Sequence, residues 1–166
     1  MDLFEAIEKR SSVRAFDAVE VPDEDLVKIA DAGRRAPSGG NRQPLQFILI
    51  TKAETLKALE RVQAAFATAS AAIGIVADPN ASRWWLEDAA AAAENMLLAI
   101  AALGYASVWV EGTLIKQEDF ARRLLGVPDS KRLIILLPIG KAPHETPQAD
   151  RKPLEDILWR ETYGGK

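Results

Sequence analysis

The residues best suited to bind a charged ligand lie near the start of the chain, in segment 10–16 (RSSVRAF). Its two arginines, Arg10 and Arg14, carry planar guanidinium groups whose donor geometry matches phosphate. The hydroxyls of Ser11 and Ser12, together with backbone N–H groups, could complete a phosphate cradle. The same composition is typical of a solvated turn at the end of a helix, so the segment alone leaves both interpretations open.

A second polar segment lies at 37–44 (PSGGNRQP), directly before an apolar run. Ser38 contributes a hydroxyl, and Asn41 and Gln43 each contribute an amide that can both donate and accept hydrogen bonds. Amides of this kind suit the edge of a planar heterocycle. An ordinary polar turn is the alternative interpretation, because Pro and Gly punctuate the segment.

Two further candidate pairs, Glu111-Gly112 and Gly140-Lys141, follow apolar runs that are typical of strands. Ligands of open sheets gather at the carboxyl ends of strands, and a glycine there allows a ligand to approach the backbone. Both pairs are also common in ordinary turns. A Walker A loop and a G-x-G-x-x-G motif are absent from the sequence, so neither of those nucleotide-binding classes is predicted.

The rest of the composition excludes several classes of catalytic site. The chain has 166 residues, no cysteine and a single histidine, His144, which excludes thiol catalysis, disulfides and a multi-histidine metal site. Glu87 and Asp88 are neighbours in a helical pattern and point in different directions, which argues against a glycosidase pair. The net charge of −3 and the pI of about 5.3 give no support for nucleic-acid binding. An enzyme of this composition needs carboxylates, lysine or a bound cofactor.

The hydrophobic pattern predicts neither a signal peptide nor a membrane span. The first residues, MDLFE, are too acidic for a signal peptide. The most apolar stretch, 89–103, is mostly alanine and carries Glu94 and Asn95. A bilayer span needs about 20 predominantly apolar residues, so this stretch predicts a buried helix. A cytoplasmic protein is therefore expected.

The candidate residues need a scaffold, and the sequence predicts a single domain over residues 1–166. Helical spacing with acidic first turns predicts helices, whereas short continuous apolar runs predict buried strands, and the run at 47–50 is expected to be covered on both faces. Trp84 and Trp85 open the longest predicted helix, either as core or interface anchors or as the wall of a pocket. Four strands interleaved with helices indicate a three-layer α/β or α+β sheet. The predicted helices are 2–10, 23–36, 53–61, 84–103, 116–125 and 154–159, and the predicted strands are 47–50, 72–77, 107–110 and 133–137.

Six segments, taken in order along the chain, resemble the FMN-dependent nitroreductase family. They span nearly the whole sequence: 10–16, 36–44, 94–99 (ENMLLA), Glu111-Gly112, 138–140 (PIG) and 151–154 (RKPL). The resemblance implies an α+β fold with three α/β/α layers, in which helices surround a mixed sheet of about four to five strands. It implies a homodimer of the domain-swapped kind with two FMN sites at the subunit interface. It also implies electron transfer from NAD(P)H to a nitroaromatic, quinone or similar electron-poor acceptor.

The resemblance implies a role for each matched residue around the FMN phosphate. Arg10 and Ser12 would hold the phosphate, and Ser11 would support that turn. Arg151 would complete the grip from the C-terminal segment. Arg14 would lie nearer the pyrimidine edge of the flavin, where a cation stabilises negative charge on the reduced ring.

Other matched residues are implied to surround the flavin ring. The backbone of Glu111 and Gly112 would lie beside flavin N5, the atom that takes and gives hydride. Gly140 and Lys141 fall where the family often places another contact on the phosphate side. No side chain is predicted to be catalytic, because the flavin carries the redox chemistry and protons can come from water. Contacts from the partner subunit would come from the polar loop, through Pro37, Ser38, Gly39, Asn41 and Gln43.

The sequence also departs from the family pattern, since Leu45 stands where many members carry an aromatic residue after Gln-Pro. The region between about 61 and 84 is short, where larger members insert helices that cover the substrate. The acceptor therefore stays open. Two other function classes stay open as well. One is a flavin-binding or flavin-consuming protein of the same fold without reductase turnover, and the other is a small dimeric interaction protein with a purely structural long helix.

Overall fold

The structure, a computed structural model, describes residues 1–165 and has helices packed on a β-sheet. Its helices are α1 (Leu3–Lys9), α2 (Asp23–Arg34), α3 (Ala53–Leu59), α4 (Trp85–Ala102), α5 (Gly112–Ile115) and α6 (Glu118–Leu125). Its strands are β1 (Leu45–Ile50), β2 (Ala71–Ala77), β3 (Ala106–Ser107) and β4 (Arg132–Gly140). Short 3-10 helices occur at Gly39–Asn41, Ala64–Ala67 and Leu154–Asp156. The α+β class predicted from the sequence is confirmed.

The four strands form one sheet in the order β1-β2-β4-β3, and each neighbouring pair is antiparallel. The family resemblance implies a mixed sheet of about four to five strands, and in the described residues the parallel component is a bridge between Ser12 and Ser107. In an antiparallel sheet the carboxyl ends of neighbouring strands point to opposite ends of the sheet. Glu111-Gly112 and Gly140-Lys141 therefore do not lie at the same end of the sheet, although each pair follows a strand.

The central strand β2 is buried along its whole length, since helices cover both faces of the sheet. Ala72 and Val76 pack in a cluster with α3, α5 and α6, whereas Ile73 and Ile75 pack in a second cluster with α2 and α4. Successive side chains of a strand point to opposite faces, so one apolar strand serves both clusters. This alternation produces the three layers.

Three predicted elements differ in the structure. The strand predicted at 107–110 is only Ala106–Ser107, and its pairing with β4 returns at a bridge between Val110 and Leu136. The register is continuous between the two, but no ladder hydrogen bonds join Val108 and Trp109 to β4. The helix predicted at 154–159 is a single 3-10 turn at 154–156. Strand β1, predicted to be covered on both faces, lies at the edge of the sheet with residues 47–49 only partly buried.

Helix α1 places its apolar side away from the core. A capping box formed by Asp2 and Glu5 starts the helix, with both reciprocal hydrogen bonds present. Only one residue of α1, an alanine, is buried, whereas Leu3 is 60%, Phe4 is 75% and Ile7 is 44% exposed. The apolar spacing that predicts this helix is therefore not explained by packing within one chain.

Within residues 1–165, no helix combines the length and apolar character needed to cross a membrane. The longest helix, α4, has 18 residues and carries charged side chains among its alanines.

Candidate functional site

The arginine segment, residues 10–16, runs beside β3 rather than forming a free turn. The N–H of Val13 donates to the carbonyl of Ser107 at 2.9 Å. Val13 and Phe16 are buried, whereas Ser12 and Arg14, the two neighbours of Val13, are exposed. The apolar residues thus fix the backbone, and the polar side chains of the same segment remain available to a ligand.

The guanidinium groups of this segment form few bonds inside the chain. Nε of Arg10 lies 4.0 Å from a carboxylate oxygen of Glu94, the outer limit of an ion pair. Arg14 forms no hydrogen bond or ion pair with the described part of the chain. A cation without an ion pair on a fixed backbone favours binding of an anion, because few contacts within the protein have to be broken and little backbone has to be ordered when the anion binds.

Gly140 and Lys141, predicted on the phosphate side, have structural roles in the chain. A Cβ at Gly140 would lie 2.6 Å from Cβ of Phe16, so any larger residue would displace the arginine segment. Nζ of Lys141 donates to the carbonyl of Gly104 at 2.6 Å and lies 5.2 Å from the centre of the Tyr105 ring. Lys141 therefore holds the segment that follows α4 against the end of β4, and Gly140 leaves the space that Phe16 occupies.

The C-terminal tail crosses the arginine segment through a residue that the sequence did not suggest. Nε2 of Gln148 donates to the carbonyls of Ile7 and Arg10, both at 2.6 Å. These carbonyls lie at the C-terminal end of α1, where the last backbone acceptors have no partner within the helix. Arg151, three residues further on, is exposed and donates to the carbonyl of Ala149 at 3.0 Å. Gln148 therefore fixes the tail near Arg10.

A cavity of about 230 Å³ lies behind the arginine segment, between α4 and the start of the tail. Its lining includes Arg10, Ser11 and Ser107, and the hydroxyl of Ser107 is buried without a hydrogen-bond partner in the described residues. Tyr105 also lines it, and its hydroxyl donates to a carboxylate oxygen of Asp25 at 3.0 Å. Burial and this neighbouring carboxylate raise the pKa of Tyr105, so the phenol stays protonated.

The polar loop, residues 37–43, has a strained backbone. Gly40, Asn41 and Gln43 have φ angles of 59°, 53° and 49°. Glycine and asparagine tolerate this left-handed region, whereas glutamine does so at a cost of about 1–3 kcal/mol. The N–H of Gln43 donates to the hydroxyl of Ser38 at 3.1 Å and closes the loop on itself.

A buried carboxylate at the start of α4 holds this loop. Asp88 is 4% exposed, and its two oxygens accept from the N–H of Gly39 at 2.8 Å and from the hydroxyl of Ser82 at 3.1 Å. Its neighbour Glu87 points to solvent, in agreement with the prediction that the two carboxylates do not form a pair. The role of Asp88 was not predicted, because adjacency to Glu87 is the only signal in the sequence.

Trp84 forms the surface against which the loop packs. A Cβ at Gly39 would lie 2.4 Å from Cε3 of Trp84, so only glycine fits at this position. The N–H of Trp84 donates to the Ser82 hydroxyl at 3.2 Å, which joins the tryptophan to the Asp88 network. Trp84 is only partly buried and, with Pro37 and Ser38, lines a shallow pocket. Trp84 is therefore not a core anchor, and it lines the pocket beside the loop.

Glu111 and Gly112 lie where β3 has ended and α5 begins. Nε1 of Trp109 donates to a carboxylate oxygen of Glu111 at 2.9 Å, which fixes the glutamate side chain beside the strand. Gly112 has no heavy atom within 4 Å of the position that a Cβ would take. The backbone of Gly112 is therefore open on one side.

The two polar segments lie on different faces of α4. The loop is attached at Asp88, and the arginine segment approaches Glu94. Six residues of helix separate these contacts by about 9 Å along the axis and about 120° around it. Within residues 1–165 no hydrogen bond or ion pair joins the two segments. Within one chain the loop is therefore separate from the arginine segment and the tail, and Glu111 and Gly112 lie apart from both at the start of α5.

A model of the nitroreductase family matches residues 7–78 and 62–141 of this chain. A protein from Archaeoglobus fulgidus, named a candidate NADH dehydrogenase/NAD(P)H nitroreductase, is 36% identical over 168 residues, which cover 93% of this chain and 94% of that protein. A protein of the same name from Methanothermobacter thermautotrophicus is 32% identical over 154 residues, covering 89% of this chain and 80% of that protein.

Solved structures share the architecture over nearly the whole chain. The FMN-dependent nitroreductase of Clostridium difficile R20291 aligns with a TM-score of 0.85 at 26% identity, covering 96% of this chain and 99% of that one. A candidate nitroreductase of Desulfovibrio desulfuricans, solved in complex with FMN, aligns with a TM-score of 0.84 at 29% identity, covering 98% of both chains.

Proposed function

The chain belongs to the nitroreductase family, and on this premise we propose that it is an FMN-dependent oxidoreductase. It passes electrons from NAD(P)H to a nitroaromatic, quinone or similar electron-poor acceptor by a ping-pong mechanism. Relatives named NAD(P)H nitroreductases and neighbours named for FMN support the general activity. The identity of the acceptor and the ping-pong order are further parts of the proposal, as is a cytoplasmic single domain.

One observation carries the proposal: the arginine segment has a fixed backbone and uncommitted cations. Val13 and Phe16 anchor the segment in the core, while Arg14 and Arg151 have no carboxylate partner in the described residues. A phosphate dianion can accept several charge-assisted hydrogen bonds from such groups. The chemistry of these donors fits FMN, whose isoalloxazine ring supplies two-electron transfer when it is bound.

Arg10, Ser12 and Arg151 would hold the FMN phosphate, and Ser11 would support the turn. Arg10 and Ser12 belong to the arginine segment and Arg151 belongs to the tail, and Gln148 joins the two. The proposed phosphate site therefore uses residues from both ends of the chain. Arg14 is directed outward from the same segment and would supply positive charge at the pyrimidine edge. Positive charge there stabilises the reduced, anionic ring.

Gly112 and Glu111 would lie beside flavin N5 because the backbone of Gly112 is open. The glutamate side chain is held by Trp109, so its backbone has a defined position. A close approach of ring to backbone needs both an absent Cβ and a rigid chain. Gly140 and Lys141 would support the phosphate site indirectly. Gly140 makes room for Phe16 of the arginine segment, and Lys141 holds the segment that follows α4.

The polar loop would complete the site from a second copy of the chain. Pro37, Ser38, Gly39, Asn41 and Gln43 are held on a different face of α4 from the arginine segment, so one chain supplies the loop to one site and the arginines to another. The exposed apolar side of α1 and the exposed Leu154, Ile157 and Leu158 of the tail support a homodimer. Large exposed apolar side chains on neighbouring elements are typical of surfaces that bind a partner.

The experiment that tests this function is a flavin reduction assay on the purified protein. The protein should be yellow or bind added FMN, should bleach when NADH or NADPH is added, and should recover its absorbance with a nitroaromatic or quinone. Parallel lines in double-reciprocal plots would support the ping-pong order. A protein that rejects FMN would refute the proposal, and one that binds FMN but is not bleached would favour the non-turnover alternative.

A further inference from the structure

Two arginines contact the same indole ring at the edge of the polar loop. The guanidinium carbon of Arg83 lies 4.4 Å from the centre of the Trp84 ring, and that of Arg42 lies 5.8 Å from it. Arg42 belongs to the loop itself, and Trp84 touches Gly39 of the same loop. Both arginines are exposed. The chain has a net negative charge, so this concentration of positive charge is local.

Neither guanidinium forms an ion pair with the described part of the chain. Other arginines near the loop do form such pairs: Arg34 and Arg35 both bind Asp31 at 2.6 Å. Glu87 lines the same shallow pocket as Trp84 but has no oxygen within 4.0 Å of either arginine. Two like charges that share one ring repel each other, and a bound anion would relieve this repulsion.

The indole ring prepares these arginines for a bound anion. A guanidinium stacked on an aromatic face keeps its N–H groups free at the rim, where they can donate to an oxyanion. Stacking also restricts the side chain before binding, which lowers the entropy lost when a ligand binds. Arg42 and Arg83 thus form an arginine pair in which Trp84 limits the freedom of both.

We propose that this arginine pair binds a phosphate of the nicotinamide dinucleotide. The inference rests on the proposed function, because it assigns a position for the substrate beside the loop that would cover the flavin. A dinucleotide with its nicotinamide on the flavin ring would have to extend its phosphates across the protein surface beside this loop. Both arginines lie on that surface, against Trp84, which lines the shallow pocket next to the loop. Two phosphate groups have the required chemistry: the diphosphate bridge of both dinucleotides and the 2′-phosphate of NADPH.

The test measures dinucleotide use and ligand binding in the FMN-loaded protein. The variants are Arg42→Ala, Arg83→Ala, the double variant, and the lysine variants that keep the charge without the planar fork. Arg61→Ala is the matched control, because Arg61 also stacks on an aromatic ring, 4.7 Å from the centre of Phe120. KM for NADH and NADPH is measured for each, and binding of ADP and adenosine 2′,5′-bisphosphate is measured by calorimetry.

Each alanine substitution is expected to raise KM about tenfold, which is the loss of roughly one charge-assisted hydrogen bond. A rise for NADPH alone, with weaker binding of adenosine 2′,5′-bisphosphate, would assign the 2′-phosphate. An equal rise for both dinucleotides, with weaker binding of both probes, would assign the diphosphate. Lysine variants should fall between the wild type and alanine.

Unchanged KM values and probe binding in the double variant would overturn the proposal while the flavin assay of the wild type still succeeds. If the wild type fails to bleach with either dinucleotide, the proposed function is the part that fails. The melting temperature of each variant and retention of FMN show whether a change in KM reflects a damaged loop. The Arg61 variant should match the wild type in every measurement.

Discussion

The polar loop and the arginine segment are both polar stretches beside α4, yet they are fixed in opposite ways. The loop has no buried residue of its own and is held by a buried carboxylate and by the surface of Trp84. Three of its residues have a positive φ. The arginine segment has ordinary backbone geometry and is held by buried Val13 and Phe16 together with a hydrogen bond to β3. The loop therefore depends on polar contacts, and the segment depends on hydrophobic burial.

This difference separates the effects that substitutions should have on stability and on ligand binding. In the arginine segment the polar side chains form few contacts within the chain, so removing them should change ligand affinity and leave the stability of the fold almost unchanged. In the loop the residues that support its shape also belong to the fold, so removing them should change both. The same contrast extends to glycines, since Gly39 faces a ring and Gly112 faces open space.

The largest expected effect comes from Arg10→Ala combined with Arg151→Ala. If both hold the FMN phosphate, the affinity for FMN should fall at least about a hundredfold, because each loses a charge-assisted contact. The melting temperature of the apoprotein should change little, since Arg151 is exposed and the only ion pair of Arg10 in the described residues is a 4.0 Å contact with the half-exposed Glu94. Fluorescence titration with FMN measures the first quantity and a thermal melt the second.

Arg123→Ala, which changes an exposed arginine on α6, is the control for general loss of positive charge. Unchanged FMN affinity in the double variant would remove both residues from the proposed phosphate grip.

The next effect in size is expected for Asp88→Ala, which removes the buried acceptor of the loop. The N–H of Gly39 and the hydroxyl of Ser82 would lose their partner, at a cost of about 2–4 kcal/mol in the free energy of unfolding. The loop should also exchange its amide hydrogens faster. Urea unfolding and hydrogen exchange measure the two effects.

Asp88→Asn keeps one acceptor oxygen and should lose less stability, while Glu87→Ala, an exposed neighbour, should lose almost none. A variant of Asp88 as stable as that of Glu87 would show that the loop has another support.

A smaller effect is expected when Gly39 and Gly112 are each changed to alanine. Gly39→Ala forces its Cβ against the Trp84 ring, and overpacking of this kind costs about 1–3 kcal/mol. Gly112→Ala meets no atom of the described chain and should leave the melting temperature unchanged or slightly raised. If the flavin lies against Gly112, the same substitution should weaken FMN binding. Equal behaviour of the two variants in both assays would contradict the contrast between the regions.

Sequence reasoning found the elements with local signals and missed contacts between distant segments. The long helix, predicted at 84–103, is Trp85–Ala102, because its composition and the glycine that follows it are local features. Helix α6 ends at Leu125, the residue at which the predicted helix 116–125 ends, because Gly126 adopts a φ of 68° there. The resemblance supplied the candidate site residues in order along the chain. It did not show that the loop and the arginine segment lie on different faces of α4, because that depends on where each segment contacts the helix.

Asp88 and Gln148 illustrate why the contacts that hold the candidate segments were not predicted. Asp88 accepts from a residue 49 positions away, and Gln148 donates to one 138 positions away. Neither residue belongs to a pattern that predicts such a partner. Their roles follow from backbone groups, the N–H of Gly39 and the carbonyl of Arg10, and a sequence does not reveal which backbone groups lack a partner.

The smallest expected effect comes from Gln148→Ala, which tests whether the tail supports the arginine segment. The substitution removes two hydrogen bonds at the end of α1, each worth about 1 kcal/mol or less at an exposed site. Stability should fall only slightly, but residues 146–152 should exchange faster and FMN affinity should fall a few-fold, because Arg151 is held less firmly. Gln148→Glu should be worse than alanine, since a carboxylate would face two carbonyl oxygens. Unchanged exchange in the tail of both variants would show that Arg151 is positioned without Gln148, and the arginine segment would then depend on its buried residues alone.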